Sequence, residues 1–349
     1  MNEVIPLLEC RDISKTFVSG TFRKRYNLAL DKTSLTIAES PPAITAIAGE
    51  SGSGKTTLAR VLLGLLPPTE GQVIYKGQDI AKMSRSEFRD FRREVQVIFQ
   101  DPFESYNPFY KVDHVLETPI RKYGLAKNKK EAKDLIVDAL ETVGLRPAET
   151  LGRYPHQLSG GQRQRIMVAR AVMLRPKIIV ADEPVSMVDA SLRATILETL
   201  RTLNDEFGIS ILYITHDLTT AYQVAENIIV LYKGTIAEAG DVEKVINSPT
   251  HPYTRLLVDS IPQPDPDLQW GSDSSVSRLT GGMSGHGCVF YDRCPIREDR
   301  CDTTPPSLYQ PDKYRVTRCY AYEESGTFDS PKLTDAFIPA SEIAPIQGS

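Results

Sequence analysis

Gly49-Glu50-Ser51-Gly52-Ser53-Gly54-Lys55-Thr56 fits the pattern G-x-x-x-x-G-K-[ST]. Glycines let backbone N–H groups wrap a polyphosphate, and a helix N-terminus behind them adds partial positive charge. In such a loop Lys55 reaches the β- and γ-phosphates and the Thr56 hydroxyl ligates Mg²⁺. Gly49, Ser51, Gly52, Ser53, Gly54 and Thr57 then line the cradle for the polyphosphate. Farther along, the apolar run Lys177 to Ala181 ends in Asp182-Glu183-Pro184. At the C-terminal end of a sheet strand, where α/β sites form, Asp182 fits a carboxylate serving Mg²⁺. Glu183 is next along and points elsewhere, so it can address an attacking water. Alone, two acids could simply cap a strand; a phosphate loop in the same chain favours the chemical reading. His216 closes the run Ile209 to Thr215 and falls on the same edge. A lone histidine is more often structural, and its position here reverses that.

Two further clusters carry chemistry. Leu158-Ser159-Gly160-Gly161-Gln162 opens a helical stretch running to about Leu174, a second anion-binding helix terminus. One chain with one phosphate loop has no obvious need of two. Cys10 stands alone, whereas Cys288, Cys294, Cys301 and Cys319 crowd together. In a reducing compartment metal ligation is the better reading of such a group than a disulfide framework. The spacing C-x5-C-x6-C-x17-C lacks the paired C-x2-C knuckles of zinc ribbons. Four thiolates satisfy a cubane cluster. Zinc and unligated reduced thiols stay open as alternatives.

The elements that must position these residues are legible as a β/α pattern from about residue 43 to 238. Short apolar runs at 42–48, 177–181, 209–215 and 228–231 read as buried parallel strands. A mainly helical insertion interrupts them between Gln100 and Pro176. Within it Leu135, Ile136, Ala139, Leu140 and Val143 mark one helix face, and Gly144 is placed to end that helix. After about residue 246 the character changes. Pro262, Pro264 and Pro266 and the Ser/Gly-rich stretch Gly271 to Gly287 read as linker. The segment from about Glu323, polar and broken by Pro331, Pro339 and Pro345, reads as a mobile tail.

Composition narrows the classes. The chain has 349 residues, 41% hydrophobic and 25% charged, enough for a full core and about two domains. Lys plus Arg number 41 against 45 Asp plus Glu, a formal charge of −4, which argues against non-specific nucleic-acid binding. No apolar run reaches about 18 residues, so no transmembrane helix is expected. The N-terminal residues lack the basic and apolar regions of a secretory signal. The chain reads as cytosolic, with any membrane role exercised through a partner.

With the phosphate loop, Leu158-Ser159-Gly160-Gly161-Gln162, Asp182-Glu183 and His216 together, the sequence resembles the ATPase subunit of an ABC transporter over roughly residues 5 to 320. His251-Pro252-Tyr253-Thr254-Arg255-Leu256-Leu257 with Ile261-Pro262, and the cysteine stretch, resemble its oligopeptide/dipeptide importer branch. The resemblance implies an α/β fold: a P-loop NTPase (RecA-like) core, an antiparallel β subdomain, a helical insertion at about 101–170 and a small Cys-containing C-terminal extension. It divides the chain into a nucleotide-binding domain (1–245), the extension (246–322) and the tail (323–349). It also implies a head-to-tail dimer in which Ser159, Gly160, Gly161 and Gln162 complete the partner's ATP site. Phe17, or Tyr26 in its place, stacks on adenine. Gln100 touches Mg²⁺ and the attacking water, and Glu183 is the general base. Asp189 signals across the dimer, and His216 meets the γ-phosphate. Phe103, Tyr106, Asn107 and Pro108 are expected on the surface that couples to the membrane subunits. Some members of the branch ligate a [4Fe–4S] cluster with four such cysteines, so Cys288, Cys294, Cys301 and Cys319 are expected to do so.

The implied function is ATP hydrolysis powering an importer of peptides or related small solutes. The implied partners are a second ATPase subunit, as a heterodimer before a homodimer, two transmembrane permease subunits and an extracytoplasmic solute-binding protein. The expected place is the cytoplasmic face of the inner membrane, as a peripheral subunit. The alternative is a soluble ABC ATPase acting on nucleic acid or ribosomes. Relatives of that kind commonly join two ATPase units or carry basic insertions. This chain has one unit and a net negative charge.

Overall fold

The computed structural model describes residues 6–20, 23–101, 106–261, 287–330 and 332–337. Its strands are β1 (Leu8–Ser19), β2 (Arg25–Ile37), β3 (Ile44–Ala48), β4 (Glu70–Tyr75), β5 (Gln78–Asp79), β6 (Val95–Ile98), β7 (Ile178–Asp182), β8 (Ser210–Ile214), β9 (Asn227–Tyr232), β10 (Thr235–Asp241), β11 (Tyr309–Asp312) and β12 (Arg315–Thr317). Its main helices are α1 (Lys55–Leu62), α2 (Arg85–Glu94), α3 (Asp113–Tyr123), α4 (Lys129–Thr142), α5 (Pro147–Thr150), α6 (Gly160–Val172), α7 (Ala190–Asp205), α8 (Leu218–Val224), α9 (Val242–Asn247) and α10 (Pro252–Asp259). Among the described residues no helix is long and apolar enough to cross a membrane.

An antiparallel sheet of order β2-β1-β4-β5 lies beside an eight-stranded sheet of order β11-β12-β10-β9-β3-β8-β7-β6. In the larger sheet β9, β3, β8, β7 and β6 run parallel. The apolar runs are continuous because both faces are covered, as parallel sheets require. Alternation then sorts each strand between two cores. Ala46, Ala48, Ile179, Ala181, Ile211 and Tyr213 face the side covered by α3, α4, α6 and α7. Ile47, Ile178, Val180, Leu212 and Ile214 face α1 and the antiparallel sheet. The register sets Ile214 opposite both Ile47 and Asp182. The C-terminal ends of β3, β7 and β8 are therefore flush.

The helical insertion forms as its pattern predicts. Ile136, Ala139 and Leu140 are buried on α4, and Gly144 follows at φ +67 to end it. Tyr106 corrects an expectation. It is buried, and its hydroxyl donates to the Arg163 carbonyl at 2.9 Å, so it is not part of an exposed coupling surface. Phe109 (86% exposed) and Tyr110 present apolar surface there instead. Phe103 lies outside the described residues.

The C-terminal part departs most from its reading. β12 pairs antiparallel with β10, Val316 opposite Ala239, so the extension completes the core sheet rather than standing beside it. The expectation of a mobile tail is corrected over its described residues, 323–330 and 332–337. Thr327 bridges to Tyr309, and the turn Leu333–Ala336 packs on β2 with Leu333, Ala336 and Phe337 buried in the second core. Three apolar residues suffice to dock a segment whose average composition is polar. The proline cluster and most of the Ser/Gly stretch, residues 262–286, lie outside the described residues, as do residues 338–349. Leu333→Ala should lower stability by about 2 kcal/mol through the cavity it leaves. Urea unfolding of the full chain checks this, and an unchanged midpoint would show the tail to be dispensable.

Candidate active site

The phosphate loop joins β3 to α1. Gly54 has φ +107, and a Cβ there would stand 2.5 Å from the Ala29 carbonyl oxygen, so only glycine fits. Gly54 is also the N-cap of α1 and offers no side-chain cap, and the first turn carries no acid. The end of α1 therefore presents unspent N–H donors to an anion. The Gly234 N–H holds the loop from the β9–β10 turn, donating to the Ser53 carbonyl at 2.8 Å. The Ser53 hydroxyl is buried without a protein partner.

Lys55 is buried, and its Nζ donates to the carbonyls of Gly49 at 2.7 Å and Glu50 at 2.9 Å. Burial pushes its pKa down, and the nearby Glu183, Asp182 and Glu50 carboxylates push it back up. Asp182 is buried at the end of β7, with Oδ1 lacking any partner. Burial raises its pKa, as does Glu183, while a hydrogen bond with the Thr56 side chain opposes them. An orphaned buried carboxylate oxygen beside a hydroxyl and a lysine is a donor set that suits Mg²⁺ carrying a polyphosphate.

Glu183 turns away from Asp182 because its backbone is left-handed, φ +46, with its N–H donating to the Ile214 carbonyl at 2.9 Å. Its Oε2 accepts from Gln100 Nε2 at 2.9 Å, and its Oε1 lies 3.0 Å from His216 Nδ1. Three residues expected in catalysis from separate motifs thus meet at one carboxylate. Gln100 comes from the end of β6 and His216 from the end of β8, on either side of β7 in the sheet.

Ser159 caps α6. Its hydroxyl accepts from Gln162 N–H at 3.2 Å and Gln162 Oε1 accepts from Ser159 N–H at 2.9 Å. A Cβ on Gly160 would make only ordinary contact, 3.7 Å from the Met187 carbonyl oxygen, whereas a Cβ on Gly161 would come within 2.5 Å of the end of the Leu192 side chain, which would have to shift. Asp189 caps α7, accepting from the Leu192 N–H and the Ser191 hydroxyl, and is exposed. Phe17 and Tyr26 are both exposed, at 40% and 68%. Phe17 lies opposite Asn27, and Val18 opposite Tyr26, so the two rings project from opposite faces of the β1–β2 ribbon.

Cys288, Cys294, Cys301 and Cys319 line one small cavity with Phe290 and Tyr320, and all four are free thiols. Burial raises the pKa of Cys288, Cys294 and Cys319; for Cys294 it is about 11, with its three sister thiols adding to the shift. The donor chemistry suits a soft metal centre. Among the described residues, however, no group of three or more His, Cys, Asp or Glu side chains is drawn together closely enough to hold a metal ion. Sequence reasoning missed three residues bound to the phosphate loop: Gly234, Tyr253 and Arg293. The Tyr253 hydroxyl accepts from Glu50 N–H at 2.7 Å. Arg293 grips the Glu50 carboxylate through both terminal nitrogens at 2.8 and 2.9 Å. Tyr253 stood in a quoted motif, but nothing in its spacing pointed to this loop.

Comparison with known proteins agrees with this geometry. Residues 30–186 match the ABC transporter family, and residues 237–301 match the oligopeptide/dipeptide transporter C-terminal region. The oligopeptide transport ATP-binding protein OppF of Salmonella typhimurium is 39% identical over 75% of this chain and 79% of its own. OppF of Escherichia coli has the same identity over the same shares. The ATP-binding cassette MJ0796, solved as a dimer bound to ADP and Pi, superposes with a TM-score of 0.59 at 28% identity over 67% of this chain and 98% of that one. The cbiO1 protein of Clostridium perfringens, at 24% identity, a TM-score of 0.60 and coverage of 70% and 91%, shares the fold. This chain belongs to the ATP-binding proteins of ABC transporters, in the branch that carries the oligopeptide/dipeptide transporter C-terminal region.

Proposed function

We propose that this chain hydrolyses ATP to power a membrane importer of peptides or related small solutes. The observation that carries the reading is the meeting of Gln100, Glu183 and His216 at one carboxylate on the strand edge that also carries Lys55 and Asp182. The loop Gly49 to Thr57 and Lys55 hold the β- and γ-phosphates. Mg²⁺, held by Thr56, Gln100 and Asp182, would neutralise the phosphate charge when bound. Glu183 takes the proton of the attacking water, its carboxylate steadied between the Gln100 amide and the His216 imidazole. Phe17 lies on the ribbon expected to stack on adenine.

Ser159, Gly160, Gly161, Gln162 and Asp189 serve the site of a second ATPase subunit. The capped N-terminus of α6 must then exchange the Ser159–Gln162 bond for phosphate as the pair closes. The second subunit is read as a different chain, with an identical copy as runner-up. Two transmembrane permease subunits and an extracytoplasmic solute-binding protein complete the assembly, which sets this chain on the cytoplasmic face of the inner membrane. Residues 1–245 supply the nucleotide-binding domain and 246–322 the extension. The four-cysteine cavity is proposed to take a [4Fe–4S] cluster, for which the thiols must draw together around it.

Three outcomes test this reading. Glu183→Gln should retain ATP binding while hydrolysis falls about 10²-fold or more. Turnover at the parent rate, measured by phosphate release, would remove Glu183 from the role. Asp182→Asn should raise the melting temperature of nucleotide-free protein by relieving a buried carboxylate with one oxygen unpaired. The same variant should lose the extra stabilisation that Mg²⁺ gives to ATP-bound protein, and a variant that keeps it would exclude Asp182 as a metal residue. Anaerobically purified protein should be brown and contain iron and sulfide. Colourless, iron-free protein would remove the cluster.

A further inference from the structure

Glu50 is the first variable residue of the phosphate loop, and three of its polar groups are held at once. Its carbonyl accepts from Lys55 Nζ. Its N–H donates to the Tyr253 hydroxyl. Its carboxylate accepts a two-pronged grip from Arg293. Only the first tie lies within the loop. The other two come from the C-terminal part, Arg293 from 243 residues away in sequence.

Both outside groups are themselves fixed. Tyr253 is fully buried on α10 and packs against Tyr232 and Phe290, with ring centroids 4.4 and 5.6 Å away. The Arg293 guanidinium lies over the rings of Tyr232 and Phe290, 5.8 and 5.6 Å from their centroids. Arg293 ends a single 3-10 turn, Tyr291–Arg293, that begins three residues after Cys288 and runs into Cys294. Its backbone is pinned by Tyr291 N–H to the Cys288 carbonyl and Cys294 N–H to the Tyr291 carbonyl. A carboxylate in a phosphate loop would repel the polyanion and is free to swing; a planar, two-pronged cation both neutralises it and sets its direction.

We infer that Tyr253 and Arg293 are positioning residues for nucleotide, through which the C-terminal extension clamps the phosphate loop at Glu50. The inference rests on the ATP reading above. It gives the extension a role in the affinity for ATP rather than in the chemical step. Arg293 touches no phosphate and acts only by way of Glu50.

The full chain is titrated with AMP-PNP and Mg²⁺ by calorimetry. Arg293→Met keeps the apolar stem but not the fork. It should weaken binding about fivefold, the discount for a partly exposed pair included. The rate at saturating ATP should stay within about twofold, so the loss appears in KM and not in kcat. In a Glu50→Gln background the same substitution should have no further effect, which a merely structural role would not produce. Equal weakening in both backgrounds, or none in either, overturns the clamp. Wild-type protein that binds no AMP-PNP overturns the ATP reading and the clamp with it. Hydrogen exchange supplies an arm independent of the Arg293 variant. The Glu50 amide should exchange slowly without nucleotide and faster in Tyr253→Phe, with α7 unchanged; identical exchange in the two proteins overturns the tie to Tyr253.

Discussion

A polyphosphate is held only where backbone N–H groups, a cation and carboxylates arrive at one edge together. Here that condition is met by register. Ile47, Ile214 and Asp182 sit side by side across β3, β8 and β7, so the three strands end level. The loop to α1 leaves the first, His216 follows the second, and Asp182 ends the third with Glu183 next along. A slip of one residue in any strand would invert its two faces and withdraw its functional side chain from the edge. The two cores that sandwich the sheet are therefore what hold the site in place.

The same edge separates two neighbouring acids. Asp182 is buried with Oδ1 left unpaired, while Glu183 turns outward to an amide and an imidazole. On the proposed reading, one carboxylate would serve Mg²⁺ and the other the attacking water. The two helix N-termini differ in a similar way. That of α1 is uncapped and open to phosphate, whereas that of α6 is satisfied by its own serine and glutamine. An ATPase completed by a second subunit needs one cradle always ready and one engaged on closure.

Much of this was legible because it is local. The octet ending in Lys55-Thr56, the strand ending in Asp182-Glu183 and the strand preceding His216 each carry their own signal within about ten residues. Their meeting was legible too, since parallel strands of an α/β sheet deliver their C-terminal ends to one side. Long-range pairings were not. Nothing near Arg293 tells of Glu50, and nothing in Arg315–Thr317 tells that β12 will extend the core sheet. The described part of the tail was misread because polarity was averaged over a segment in which Leu333, Ala336 and Phe337 are buried. Gly161 was read for chemistry alone, though it also packs closely on the Leu192 side chain of α7. Tyr106 was read as surface, though its ring fills the core under α6.

The left-handed backbone at Glu183 has a historical corollary. Glycine, or a short amide such as asparagine, would occupy that position with less strain than glutamate. On the proposed reading, the general-base role is what keeps a carboxylate on so unwelcoming a bend. A duplicated gene relieved of that duty would thus be expected to lose glutamate at 183 early and to gain stability by doing so. A degenerate sister subunit would betray its retirement first at this residue, well before its phosphate loop decayed.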